Sequence, residues 1–170
     1  MTNLIIKNAA QLITVSGQKA RVGRAMSELD IILDGALIIE DGLIMAVGQT
    51  AEVLKGIAQD DFTVLDASGK AVLPGFVDSH THFVFGGYRP DEFAWRLSGL
   101  SYMEIMQRGG GIAKTVEATR NADFDELVAL GAKRLDSMLS FGVTTVEGKS
   151  GYGLNLDTEI KQLEVMATLD

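Results

Sequence analysis

The chain has 170 residues, no cysteine and a formal net charge of −8 at pH 7. The lack of cysteine excludes a disulfide scaffold, a cysteine-ligated zinc or iron–sulfur site and a cysteine nucleophile. The acidic excess argues against nucleic acid and anionic membranes as partners, because both attract basic surfaces.

The first seventy residues are predicted to form a small β domain. Asp34-Gly35 and Asp41-Gly42 each separate two apolar runs. This dipeptide predicts a tight hairpin turn, because both central residues of such a turn need positive φ. Residues 16–29 carry scattered charges and two glycines, which predicts a loop. Short apolar and β-branched runs predict strands at residues 4–6, 12–15, 31–33, 36–39, 43–47 and 62–65.

The second part, residues 71–170, alternates strands and helices and is therefore predicted to be α/β with a parallel sheet. The near-continuous apolar run 71–78 predicts a strand buried on both faces. Further elements are predicted as a helical segment at 91–97, a capping box from Ser101 to Glu104, a helix from Asp123 to Gly142, a strand at 143–146 and a helix capped by Asp157 that reaches Thr168.

Only two strands are predicted in this part, and two parallel strands do not make a domain. We therefore expect the chain to be the front portion of something larger, or to be completed by another chain.

The chain contains two histidines, His80 and His82, and they follow the apolar run directly. Residues two apart on a strand point to the same face, so the two imidazoles can hold one metal ion. The alternative is a pair of hydrogen-bonded histidines at a strand end. Asp78 is either a carboxylate that orients one of them or a charged residue at the strand terminus.

Residues 73–82, Leu-Pro-Gly-Phe-Val-Asp-Ser-His-Thr-His, resemble the metal-binding first barrel strand of the amidohydrolase superfamily. Residues 85–89, 108–112 and 149–154 together resemble the imidazolonepropionase family within it. The resemblance implies a small β-sandwich followed by the start of a (β/α)₈ barrel. It also implies a hydrolase that opens the ring of 4-imidazolone-5-propanoate with water, giving N-formimino-L-glutamate in histidine degradation.

By the same resemblance, His80 and His82 are ligands of one zinc or iron ion, and the other ligands and the catalytic residues lie beyond Asp170. Arg89 and Tyr152 are implied substrate contacts, with Tyr102 as a weaker candidate. Without the resemblance, Arg89 would be a surface arginine paired with a neighbouring acid and Tyr152 a packed loop aromatic. The implied partner is a small-molecule substrate, and a homodimer stays open.

Three further features of the sequence allow more than one structural interpretation. Glu147 and Lys149 lie on one face of a strand, where an ion pair is favoured over a role in lining the site. Gly148 departs from the family, in which a bulkier aliphatic residue is expected, so it leaves a packing gap or allows a close approach. Residues 109–115 predict a flexible loop at the site mouth, since their glycine spacing does not fit a phosphate loop.

The sequence has no signal-peptide pattern and no apolar run long enough for a spanning helix, so we expect a cytoplasmic protein. Two other functions stay open: another cyclic amidase or deaminase of the same superfamily, and a non-catalytic metal- or ligand-binding fragment.

Overall fold

A computed structural model describes residues 3–17 and 19–170. Positions 1 and 2 of the predicted β domain, and position 18 of the predicted loop, lie outside the described residues. The chain divides into two compact units, Met1–Pro74 and Gly75–Asp170. In the described part of the chain, no helix combines the length and the apolar sequence that crossing a bilayer requires.

The first unit is a mixed five-stranded sheet centred on its first strand. That strand pairs antiparallel with the second strand and parallel with the fourth and fifth, so the sheet order is β3-β2-β1-β4 with β5 also beside β1. The elements are β1 (Leu4–Ile13), a 3-10 helix (Gly23–Ser27), β2 (Ile31–Glu40), β3 (Leu43–Gln49), α1 (Thr50–Val53), β4 (Thr63–Asp66) and β5 (Ala71–Val72).

The two predicted hairpin turns have different outcomes. Asp41 and Gly42 join β2 to β3 with φ of +51° and +83°, so this turn is confirmed. The turn at Asp34-Gly35 is wrong, because β2 runs through it without a break. A Cβ on Gly35 would collide with the side chain of Leu12 on β1. Glycine is therefore present there for close strand packing, not for reversal of the chain.

Two further expectations for this unit need correction. The two strands predicted at 4–6 and 12–15 are one strand, β1, which ends at Ile13 and has an irregularity in its pairing between Ile6 and Ala9. The loop predicted for residues 16–29 contains the 3-10 helix Gly23–Ser27. Both corrections arise from pairing or turn geometry that short apolar runs do not encode.

The second unit contains two parallel strands that are joined by four helices and followed by one more. β6 and β7 pair in parallel, which confirms the predicted parallel sheet and the α/β class. The elements are β6 (Phe76–Thr81), α2 (Pro90–Leu97), α3 (Tyr102–Gln107), α4 (Ile112–Asn121), α5 (Phe124–Ser140), β7 (Val143–Gly148) and α6 (Leu156–Leu169).

Two of the three predicted helix starts are confirmed, and the third is wrong. Ser101 and Glu104 form the predicted capping box at α3, and Asp123 accepts a hydrogen bond from the Glu126 amide at α5. The last helix is capped by Asn155, not by Asp157. The Asn155 side chain accepts from the Thr158 amide at 2.9 Å, which places Asp157 inside the first turn.

The apolar run 71–78 does not form one strand. Pro74 and Gly75 separate β5, which pairs with β1, from β6, which pairs with β7. β6 is also not buried on both faces, since Phe76 is 53% and Val77 is 69% exposed. The physical reason is that β7 is its only partner strand among the described residues.

The core of the second unit lies where α5 and α6 pack beside the segment that follows β6. Gly148 lies next to this core, and a Cβ there would be 2.7 Å from Met166 Sδ and 2.9 Å from Phe83 Cε1. The alternatives for Gly148 were a packing gap or a close approach, and the structure shows a close approach of Met166 and Phe83. The buried core residues are Phe83, Val84, Ala122, Leu127 and Val165.

The glycine-rich segment is partly helical, contrary to expectation. The predicted loop 109–115 ends at Gly111, and α4 starts at Ile112. Thr115 and Val116 are buried on this helix, which explains why the loop does not extend through them.

Candidate metal and substrate site

The two histidines lie at the C-terminal end of β6, His80 inside the strand and His82 just after it. Their ring centroids are 5.5 Å apart with an interplanar angle of 62°. Asp78 accepts a hydrogen bond from the His80 backbone amide at 3.2 Å. Asp78 therefore braces the backbone of the strand end.

His82 has an unusual hydrogen-bonding environment. Its Nδ1 is buried and has no partner in the described residues. Buried polar atoms are nearly always hydrogen-bonded, because leaving one unpaired costs free energy. An imidazole nitrogen without a hydrogen-bond partner is available for metal coordination in the tautomer that leaves it unprotonated, so this residue fits a ligand role. Over residues 3–17 and 19–170, no group of three or more His, Cys, Asp or Glu side chains is arranged to hold a metal ion.

Tyr152 lies on the loop after β7, against His82. The two ring centroids are 5.3 Å apart, and the Tyr152 ring is 5.7 Å from that of Phe85. A Cβ on Gly151 would be only 3.3 Å from His82 Cε1. Glycine at this position therefore lets the loop approach the imidazole closely.

An ion pair borders the histidines on the neighbouring strand. Lys149 Nζ is 2.7 Å from Glu147 Oε1, which confirms the favoured interpretation of these two residues. The hydrogen bond from Lys149 is the main reason that the pKa of Glu147 lies below its ordinary value. Burial opposes this shift, and the electrostatic attraction of the nearby Lys149 adds to it.

Arg89 is held by a buried carboxylate. Its Nη1 is 3.2 Å from Glu92 Oε2, and Glu92 is only 8% exposed. The other oxygen of Glu92 accepts a hydrogen bond from the Gly111 amide at 2.6 Å. Glu92 therefore ties Arg89 to the end of the glycine-rich loop.

The structure brings together three of the five predicted site residues, His80, His82 and Tyr152. Tyr102 is the first residue of α3 and is 52% exposed. Within the described residues, no hydrogen bond or ring contact joins Arg89 or Tyr102 to the three-residue cluster.

Sequence reasoning missed several residues that hold this region in place. Arg134 on α5 stacks on Phe85, with its guanidinium carbon 3.6 Å from the ring centroid. Its Nη1 donates to the carbonyls of Phe83 and Phe85, each at 2.8 Å. Glu159 and Gln162 on α6 bond the loop of Tyr152. Each of these contacts joins residues that are more than one helical turn apart in the sequence, and no short sequence motif predicts them.

Comparison with known proteins supports the family resemblance that the sequence motifs predict. The family model described as "Amidohydrolase family" matches residues 63–121. Imidazolonepropionase of Parabacteroides distasonis is 58% identical over 169 residues, which are 99% of this chain and 41% of that protein. The Clostridium tetani enzyme of the same name is 56% identical over 167 residues, 98% of this chain and 40% of that protein. This chain is a relative of the imidazolonepropionases. The predicted resemblance is confirmed, and the chain spans about 40% of the length of these relatives.

Solved structures of lower identity share the fold. Guanine deaminase of E. coli is 20% identical with a TM-score of 0.66, over 99% of this chain and 34% of that chain. Triazine hydrolase from Arthobacter aurescens is 17% identical with a TM-score of 0.56, again over 99% of this chain and 34% of that chain. These likenesses support the α/β fold of this chain.

Proposed function

We propose that this imidazolonepropionase relative provides part of a metal-dependent hydrolase acting in the cytoplasm. The enzyme opens the ring of 4-imidazolone-5-propanoate with water and gives N-formimino-L-glutamate. In this proposal β6 and β7 are the first two strands of a (β/α)₈ barrel, and residues 1–70 belong to a small β-sandwich. The observation that carries the proposal is the histidine pair at the end of β6, where the buried Nδ1 of His82 has no hydrogen-bond partner in the part of the chain that the structure describes.

His80 and His82 are the residues of this chain that would hold the metal ion. Imidazole nitrogen suits both zinc and iron, and the metal when bound supplies Lewis-acid activation of water and of the ring carbonyl. Catalytic zinc sites usually have three protein ligands. Two histidines alone therefore predict weak binding, and further ligands lie outside this chain.

Arg89, Tyr152 and Tyr102 are the proposed substrate contacts. The Arg89 guanidinium can bind the propionate carboxylate through two parallel charge-assisted hydrogen bonds. Its bond to Glu92 uses Nη1, so Nε and Nη2 are the pair proposed for the carboxylate. The Tyr152 phenol beside His82 donates a hydrogen bond to a substrate oxygen. The exposed Tyr102 is a further contact at the rim.

The test is a chimera in which this chain replaces the matching 41% of the Parabacteroides distasonis protein. We expect the chimera to consume 4-imidazolone-5-propanoate and to retain zinc or iron after dialysis. His80→Ala and His82→Ala should each abolish turnover and lower the metal content. Glu164→Gln, an exposed site on α6, is the matched control and should change neither.

Competing substrates separate this proposal from the nearest alternative. The chimera is offered other cyclic amides and aminated heterocycles beside 4-imidazolone-5-propanoate. Faster turnover of either class would favour another cyclic amidase or a deaminase. Metal binding without turnover of any substrate would favour a binding role for this chain.

A further inference from the structure

The loop that carries Tyr152 is held by side chains of α6. Glu159 Oε1 accepts hydrogen bonds from the amides of Gly153 at 2.8 Å and Leu154 at 2.7 Å. Gln162 Oε1 accepts from the Tyr152 amide at 3.3 Å. The carboxylate of Glu159 also accepts from the Gly151 amide. Four consecutive backbone N–H groups therefore have their partners on two residues of one helix.

Glu159 is charged in this position despite its partial burial. Burial alone would raise the pKa of its carboxyl group. Hydrogen bonds from the Ser150 hydroxyl and from the loop amides outweigh burial and keep the pKa below its ordinary value. On the other side of the loop, Arg120 Nε of α4 donates to the Gly153 carbonyl at 2.7 Å. The loop is thus fixed through both its N–H groups and a carbonyl.

Gln162 connects this loop to the segment that follows the histidines. It is fully buried, and its Nε2 donates to the Val84 carbonyl at 2.6 Å while its Oε1 accepts from Tyr152. A primary amide offers a donor and an acceptor at the same end of the side chain. A glutamate or a leucine at 162 cannot make both bonds.

We infer that Glu159 and Gln162 are positioning residues that hold the Tyr152 ring against His82. This inference rests on the proposed function, in which Tyr152 contacts the substrate beside a metal held by His80 and His82. Tyr152 lies between two glycines, so the loop itself restricts its backbone little. The restriction comes from α6, and the ring stays 5.3 Å from the imidazole because of these bonds.

The two histidines make a direct spectroscopic test available. With ¹³C-labelled histidine, the protein gives two Cε1–Hε1 signals, and His80→Gln assigns them. Spectra are recorded at a pH well above the ordinary histidine pKa of about 6.5, so that titration does not move the signals. Tyr152→Leu removes the aromatic ring and defines the His82 shift without its ring current.

We expect Glu159→Ala and Gln162→Leu each to move the His82 signal at least half of the way toward its position in Tyr152→Leu. Glu159→Gln keeps one acceptor oxygen and should move the signal less. Glu164→Gln removes a carboxylate from the exposed face of the same helix and should leave the signal unchanged. Backbone amide signals of α5 monitor the fold in every variant.

An unchanged His82 signal in Glu159→Ala and Gln162→Leu, with the α5 signals intact, would overturn the inference. If one of these two variants does not fold, the other carries the test, and an unchanged signal there has the same meaning. The measurement contains neither metal nor substrate. Its failure is therefore distinct from failure of the proposed function, which zinc titration of the same two histidine signals tests separately.

Discussion

The hydrogen bonding of the His82 ring nitrogens bears on whether this residue is a metal ligand or a structural residue. A structural histidine at a strand end normally satisfies its ring nitrogens with nearby polar groups. Among the described residues, Nδ1 of His82 is buried without a hydrogen-bond partner, and Asp78 bonds the backbone amide of His80. This unpaired nitrogen costs free energy, and the proposed metal-ligand role would offset that cost.

Gly151 should be intolerant of a side chain. Its φ is +129°, and a Cβ would lie 3.3 Å from His82 Cε1. We expect Gly151→Ala to lower the free energy of unfolding by about 1–3 kcal/mol, because a non-glycine residue is strained in this backbone region. Urea denaturation measures the change. Gly99→Ala is the control, since φ there is +90° but the Cβ position is open. If Gly151→Ala and Gly99→Ala lose the same free energy of unfolding, the close contact with His82 does not add to the cost of a side chain at position 151.

At the scale of elements, the cap of α6 gives a comparison within one helix. Asn155 makes the capping hydrogen bond to the Thr158 amide, and Asp157 lies in the first turn. Asn155→Ala should reduce stability by about 1 kcal/mol, the usual value of a cap. Asp157→Ala removes only a favourable charge at the helix N-terminus, worth about 0.3–1 kcal/mol. Chemical denaturation of the two variants measures both losses, and a larger loss for Asp157→Ala would contradict the assignment of the cap.

The capping box of α3 predicts a pH dependence. Hydrogen bonds from the Ser101 hydroxyl and amide hold the pKa of Glu104 below its ordinary value of 4.5. A carboxyl with a lowered folded-state pKa contributes stability above its unfolded pKa, and this contribution is lost as pH falls through the folded value. Wild type should therefore exceed Glu104→Gln in urea stability at pH 7, and the difference should shrink as pH falls below the ordinary pKa of 4.5. Glu126→Gln on α5 serves as control, and a difference that does not change with falling pH would exclude this origin.

Some elements whose deciding contacts lie within four residues could be predicted from the sequence, although the equally local cap of α6 at Asn155 was not. The turn at Asp41-Gly42 and the cap at Ser101 are of this kind. Asp34-Gly35 has the same two residues but forms no turn, because packing against Leu12 on another strand decides its geometry. The spacing of His80 and His82 predicted that their rings lie near each other, while their role as metal ligands was implied only by the family resemblance. The bonds that Glu159 and Gln162 make to the Tyr152 loop were not, since they form only after α6 has packed.

At the scale of the whole molecule, exposed apolar side chains should determine solution behaviour. Phe76 and Val77 on β6 are largely exposed, as are Leu139 and Phe141 at the end of α5. Contiguous apolar surface and unpaired strand edges favour association. We expect the chain expressed alone to associate as its concentration rises, measured by static light scattering. A monomer mass at all concentrations, with one cooperative thermal transition, would contradict this expectation.

The central place of β1 in its sheet also bears on the order in which the chain folds during synthesis. β1 leaves the ribosome before the other strands of its sheet, and β2 and β3 follow it as consecutive antiparallel neighbours. Its other edge pairs Leu4 with Thr63 and Gln11 with Ala71, which are translated much later. Pairings between such distant residues form slowly, and an open strand edge can pair with the wrong partner in the meantime. Of the strands in this sheet, β1 is made first and gains its last neighbour only when residue 72 has emerged, so we expect its open edge to be exposed in the nascent chain until then.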